Sequence, residues 1–110
     1  MRRVLLDEDL PHKLRLQLLP EFDAWTVLRM GWAGIKNGEL LRLVAESFDV
    51  FLTGDQNIPH QQNLSRSSLG IVLLRTRGTR FQDIQPYLEQ IRDAVAIVSP
   101  GELIFVPPEE

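Results

Sequence analysis

The chain has 110 residues, 44% of them hydrophobic and 25% charged, which is one domain's length with enough apolar side chain for a core without staples. It has no cysteine, so disulfides and thiolate metal sites are excluded, and any metal must be held by oxygen or by His12 and His60. A net charge of −3 argues against a protein that coats a polyanion through bulk charge, so a nucleic-acid partner needs a local basic patch. Arg66, Arg75, Arg77 and Arg80 could form one, with a solvated rim as the plainer alternative. No apolar run reaches the roughly 18 residues of a membrane span. MRRVLLDEDLP has only three apolar residues between its arginines and its acids, which is not a signal peptide. The missing cysteines are compatible with the cytoplasm.

In chain order, Arg3–Leu6 reads as a short buried strand. Leu10–Leu19 follows as a helix with Leu10, Leu14 and Leu18 on one face; Pro11 suits its first turn and Pro20 ends it. Ala24–Leu28 is a second strand, and Gly31 and Gly34 form a loop. Asn37 can cap a helix over Gly38–Ser47, whose apolar face is Leu40, Leu41, Val44, Ala45 and Phe48. Asp49–Thr53 is the third strand, Ile58–Asn63 a short helical turn and Leu69–Leu74 the fourth strand. Asp83 can cap a helix from Ile84 to about Arg92. Ala94–Val98 and Leu103–Val106, joined by a type II turn at Pro100-Gly101, read as a closing strand pair. Strands alternating with helices, and apolar runs as continuous as VFLT and IVLL, imply an α/β domain over residues 1–106. Its sheet is mainly parallel and covered by helices on both faces, and residues 107–110 form a tail.

Two strands end on acids. Val4-Leu5-Leu6 runs into Asp7-Glu8-Asp9, and Val50–Thr53 into Gly54-Asp55. Ligands of open α/β sheets bind outside the carboxyl ends of the strands, near a switch in strand order. If the first and third strands are neighbours, Asp7 and Asp55 converge there, with Glu39 at the same edge. Two carboxylates at roughly 4 Å repel by about 4 kcal/mol at an effective dielectric of 20, so such a cluster calls for a proton or a cation. Oxygen-only ligands select a hard cation, Mg²⁺ or Mn²⁺, and such an ion on carboxylates assists attack of water on a phosphodiester. Each acid also has a plainer reading. Asp9 can be a helix cap, Glu39 can complement a helix dipole, Asp55 can form a turn, and Asp7 can be structural. Glu8 points away and reads as solvated. His60 reads as a loop residue before it reads as a ligand.

VLLDEDLP, GWAGIKNGELL, FDVFLTGDQNIPHQQN and GIVLLRTR together resemble the PIN-like family of small bacterial and archaeal proteins, related to PIN-domain ribonucleases and to the Mut7-C domain. The resemblance spans Val4 to about Val106. It implies a metal-dependent ribonuclease, with Asp7, Glu39 and Asp55 catalytic and holding one or two Mg²⁺ or Mn²⁺ ions. Asp9 is a neighbouring ligand, and Asn57 offers one carbonyl oxygen. Asn57 and Asn37 stand where relatives often carry acids, which lowers the charge of the site. Arg75, Arg77 and Lys36 would position an RNA backbone. The resemblance further implies a cytoplasmic homodimer, the toxin of a toxin–antitoxin pair, with an antitoxin protein as partner. A second reading is a catalytically silent PIN-like module that binds protein or nucleic acid. A third, a phosphoacceptor receiver domain, fits the paired acids but needs a lysine at the end of its fifth strand, and the chain has only Lys13 and Lys36. Trp25, Trp32 and Phe105 are expected in the core, or, if exposed, at a partner surface.

Overall fold

Continuous apolar runs as short as VFLT and IVLL suit strands covered on both sides, and in this chain both are such strands. The structure, a computed structural model, describes residues 1–58 and 68–108, with the side chain of Asn37 excepted. Among these residues the strands are β1 (Arg3–Leu6), β2 (Asp23–Thr26), β3 (Val50–Thr53), β4 (Gly70–Leu74) and β5 (Leu103–Val106). All pair in parallel, in the order β2-β1-β3-β4-β5. The helices are α1 (His12–Leu18), α2 (Val27–Met30), α3 (Asn37–Ser47), α4 (Phe81–Ile84) and α5 (Leu88–Ile97), with a 3₁₀ turn at Gln85–Tyr87. His60, Arg66 and most of the turn expected over Ile58–Asn63 lie outside the described residues.

The period of two along each strand sorts the apolar side chains into two layers. Val4, Leu6, Val50, Leu52, Val72 and Leu74 face one way and pack with Leu14 and Leu18 of α1 and Ile91 and Val95 of α5. Leu5, Phe51 and Ile71 face the other way, against Leu40, Leu41 and Val44 of α3. Every residue of β3 and β4 is buried, as inner strands with helices on both faces require. Trp25 and Trp32 are half-buried at the margin of the second layer rather than central to it, and Phe105 is half-buried on β5.

The closing strand pair is corrected. Ala94–Ile97 belongs to α5, and β5 pairs in parallel with β4 instead. AVAIV is β-branched and apolar, but in context it carries a helical period: Ile91, Ala94, Val95 and Val98 are buried while Ala96 and Ile97 face solvent. The type II turn does form. Gly101 has φ +80°, and the Glu102 N–H donates to the Ser99 carbonyl at 3.0 Å, but the turn leads from a helix into a strand. Three expected caps are also displaced. Asp9 lies before Pro11, which caps α1 without a side-chain bond; Asp83 lies inside α4; and Asn37 is the first residue of α3, after Lys36. The second strand ends two residues early, at Thr26, whose hydroxyl accepts from the Arg29 N–H at 3.1 Å and starts α2.

At the amino-terminal edge of the sheet, the Arg2 guanidinium donates to the carbonyls of Val95 (3.1 Å) and Val98 (2.6 Å). These are among the carbonyls a helix leaves without partners at its end. Arg2→Ala is expected to lower the unfolding free energy by about 1–2 kcal/mol, read by urea denaturation, since a charged donor is lost from two carbonyls. No change would mean that water replaces the guanidinium.

Candidate functional site

The strand order reverses at β1. The chain goes from β1 to β2 on one side and from β2 to β3 on the other, so the switch point lies between the carboxyl ends of β1 and β3. Leu6 pairs with Leu52, and the Asp7 N–H carries the ladder one step further to the Leu52 carbonyl at 2.9 Å. Asp7 and Thr53 are therefore neighbours across two strands, on the face of Leu5 and Phe51. Thr53 is fully buried and donates its hydroxyl to Asp7 Oδ2 at 2.7 Å. The same hydroxyl accepts from the Asp55 N–H at 3.0 Å, and the Glu8 N–H donates to Asp7 Oδ1 at 2.8 Å. One buried hydroxyl thus links the two acidic strand ends.

A turn closed by the Leu10 N–H on the Asp7 carbonyl (3.1 Å) carries Asp9 toward the exit of β3. A methyl group on Gly54 would sit 3.2 Å from Asp9 Oδ2 and 2.9 Å from Thr79 Cγ2, so glycine is what lets the two loops approach. Asp55 accepts the Asn57 N–H on its own side chain at 3.0 Å, and its carbonyl accepts the Ile58 N–H at 3.2 Å. It is a turn former as well as a site residue. The Gln56 amide donates to the carbonyls of Gly54 (3.2 Å) and Leu74 (2.9 Å), which fastens this loop to the end of β4.

Asp7, Glu8, Asp9 and Asp55 line one pocket of about 280 Å³. Burial raises the pKa of Asp7; the bonds from Thr53 and the Glu8 N–H oppose the rise, and the charges of Asp55 and Glu8 add to it. Asp9 is pushed up to about 6, first by desolvation of its carboxyl and then by the charge of Asp7. Both acids are thus held where the charged form is disfavoured, which a cation would relieve. The donor set is oxygen only, the set a hard ion takes. Among the described residues no three acids close into a metal cage. Mg²⁺ commonly uses one or two carboxylates and completes its shell with waters and substrate phosphates, so Asp7 and Asp55 suffice in kind and number.

The other sequence-derived residues are spread along the same edge. Glu39 is in the first turn of α3, 3.8 Å from the exposed Arg42 guanidinium, and is not among the residues lining the pocket. Asn57 follows Asp55 on the exposed turn, and Lys36 is exposed just before α3. Arg75 and Arg77 leave β4 at this edge, Arg75 with its guanidinium 5.2 Å from the centre of the Phe105 ring. Arg80 pairs with Asp83 at 3.8 Å. Thr53 and Gln56 also build the site, beyond the residues expected from the sequence. The available signal was a lone hydroxyl closing a wholly apolar strand, since a buried hydroxyl must find a partner. The chain matches no family model, no curated protein and no solved structure.

Thr53→Val keeps shape and removes the hydroxyl. It is expected to cost about 1–3 kcal/mol of stability at neutral pH, because a buried carboxylate loses its donor. The loss, read by denaturant unfolding, should shrink once Asp7 is protonated in acid. Asp9 gives the opposite sign. Its folded pKa exceeds the unfolded value, so the native state binds the extra proton and stability falls as pH rises from about 4 through 6. Asp9→Asn is expected to gain about 1 kcal/mol at pH 7.5, solvent screening of an exposed group allowed for, or about 4 °C in Tm. The gain should vanish near pH 4; a gain equal at both pH values would mean that charge is not its origin.

Proposed function

We propose that the chain is a metal-dependent ribonuclease that hydrolyses phosphodiesters at the β1/β3 switch point. The observation that carries this reading is that Asp7, Glu8, Asp9 and Asp55 line one pocket, in which the pKa values of Asp7 and Asp9 are raised. Asp7 and Asp55 would hold Mg²⁺ or Mn²⁺, with Asp9 beside them and Asn57 and Glu39 on the surrounding loop and helix. A bound ion of this kind supplies an activated water and neutralises charge on the phosphate. The chain's own part is to orient. Thr53 holds the Asp7 carboxylate and the Asp55 backbone in fixed relation, and Arg75, Arg77 and Lys36 flank the pocket as cations for an RNA backbone. Glu39 would have to leave Arg42 to join the metal. The PIN-like resemblance extends the proposal to a cytoplasmic homodimeric toxin restrained by an antitoxin protein.

The second reading is a silent PIN-like module that binds protein or nucleic acid. It is favoured by the lack of a three-acid cage among the described residues, and by amides at Asn37 and Asn57. The receiver reading shares the strand order but lacks its lysine: β5 is followed by Pro107 and Pro108, while Lys13 lies in α1 and Lys36 before α3.

The deciding experiment is Mn²⁺ calorimetry together with cleavage of labelled single-stranded RNA, in Mn²⁺ and in EDTA, for wild type and Asp55→Asn. Wild type is expected to bind Mn²⁺ and cleave. Asp55→Asn should lose more than the roughly 10–100-fold typical of residues that only support a ligand. Absence of binding at millimolar Mn²⁺ would remove the nuclease reading and leave the module.

A further inference from the structure

A second cavity, of about 290 Å³, opens beside the acid pocket and shares Asp7 and Glu8 with it. Its remaining lining comes from the loop before α1 (Leu10), from the first residue of α1 (His12), and from the end of β2 and the start of α2 (Thr26, Leu28, Arg29). We infer that this cleft seats the nucleoside next to the cleaved phosphate of a single-stranded RNA, with Leu10 and Leu28 against the base and Arg29 on the adjoining phosphate. The inference rests on the ribonuclease reading and adds a binding subsite to it.

Five observations carry it. The volume is near the lower limit of small-ligand pockets, so it has room for one nucleotide and not for a protein helix. The lining has two characters: Leu10 and Leu28 are apolar, while His12 and Arg29 offer donors. Leu28 is 75% exposed although Val27 beside it is fully buried. One exposed leucine alone means little, but this one is held in place. The Thr26 hydroxyl caps α2 through the Arg29 N–H, and Gly31, with φ +77°, closes the helix after one turn. Leu28 and Arg29 are thereby fixed at the mouth of the cleft. Among the described residues, the Arg29 guanidinium has no acid or carbonyl partner, although Glu8 lines the same cavity. Finally, the sheet order sets the cations on both sides of the acids. Arg29 follows β2, Asp7 and Asp55 follow β1 and β3, and Arg77 follows β4. A strand crossing from β2 to β4 covers three strand spacings, about 14 Å, which suits a few nucleotides running across the carboxyl edge. An anion is repelled over the acids and held on either side of them.

The test compares wild type, Arg29→Ala and Leu28→Ser; both residues are exposed, and circular dichroism melts confirm folding. The probes are a fluorescein-labelled single-stranded pentaribonucleotide, read by anisotropy with Ca²⁺ and by KM and kcat with Mn²⁺, and bis(4-nitrophenyl) phosphate, which has no second phosphate and no base. Arg29→Ala is expected to weaken the RNA at least about fivefold, in Kd or KM, and to reduce the slope of log K against log salt by about 0.7, the value for one phosphate contact on a single strand. Leu28→Ser should weaken RNA with the salt slope intact. Mn²⁺ affinity and turnover of bis(4-nitrophenyl) phosphate should match wild type in both variants. RNA binding equal to wild type in both variants would overturn the subsite. So would equal losses on RNA and on the minimal phosphodiester, which would make Arg29 a support of the acid pocket. If wild type binds RNA but neither Mn²⁺ nor cleavage is seen, and Arg29→Ala loses the RNA, the nuclease reading fails while the cleft stands. If wild type binds no RNA, the cleft is overturned and a protein partner becomes the reading.

Discussion

The hydrogen bond from the buried Thr53 hydroxyl to Asp7 holds the carboxyl edge of the sheet together. β1 and β3 must be neighbours, in parallel and in a register that places residue 7 beside residue 53, for it to form. Asp7 is only 8% exposed, and a carboxylate that far from water is tolerated only when its oxygens are bonded. Thr53 and the Glu8 N–H supply those bonds. Thr53 then accepts from the Asp55 N–H, so the loop after β3 takes its starting direction from the group that anchors Asp7. Gln56 ties the far side of that loop to β4. The acid pocket is a consequence of this chain of bonds.

The two halves of the molecule do opposite things to stability. The apolar layers on both faces of β3 and β4 stabilise the fold, and among the described residues Thr53 is the polar exception within these two strands. The carboxyl edge destabilises it, because Asp7 and Asp9 are held where their charged forms are disfavoured. Such a conflict between local chemistry and global stability is what a functional site leaves in an otherwise consistent sequence. Nothing in the layers requires Asp9 to lie over Gly54, yet Gly54 is the residue that permits it.

Much of this was legible in the residues alone. The observed strands lie within a residue or two of their expected places, and the acids expected at two strand ends line one pocket at the carboxyl edge of the sheet. The misreadings have specific physical causes. AVAIV satisfies a β-branched rule and a helical period at once, and only the packing of Ile91, Val95 and Val98 on β4 and its neighbours decides between them. Asp9 and Asp83 have the chemistry of helix caps, but Pro11 and Arg80 hold those positions. Glu39 is a different case: its place at the start of α3 sets it at the expected edge, but a helix's first turn does not reveal whether its carboxylate faces a pocket or the nearby Arg42. Thr53 was hidden because a threonine in a strand is unremarkable until its partner on the next strand is known.

Net charge says little about one edge of the sheet. A formal charge of −3 describes the whole surface, whereas a ligand meets the local field. At this edge the acids sit in the middle, at the ends of β1 and β3, and the arginines sit outside them, after β2 and β4. A polyanion approaching there meets cations first and acids only at the centre, where a divalent ion would reverse the sign. The same arrangement without the ion repels the polyanion at its centre. If the acid pocket takes its cation, metal and nucleic acid should therefore bind with positive coupling, each raising the affinity for the other by the same factor.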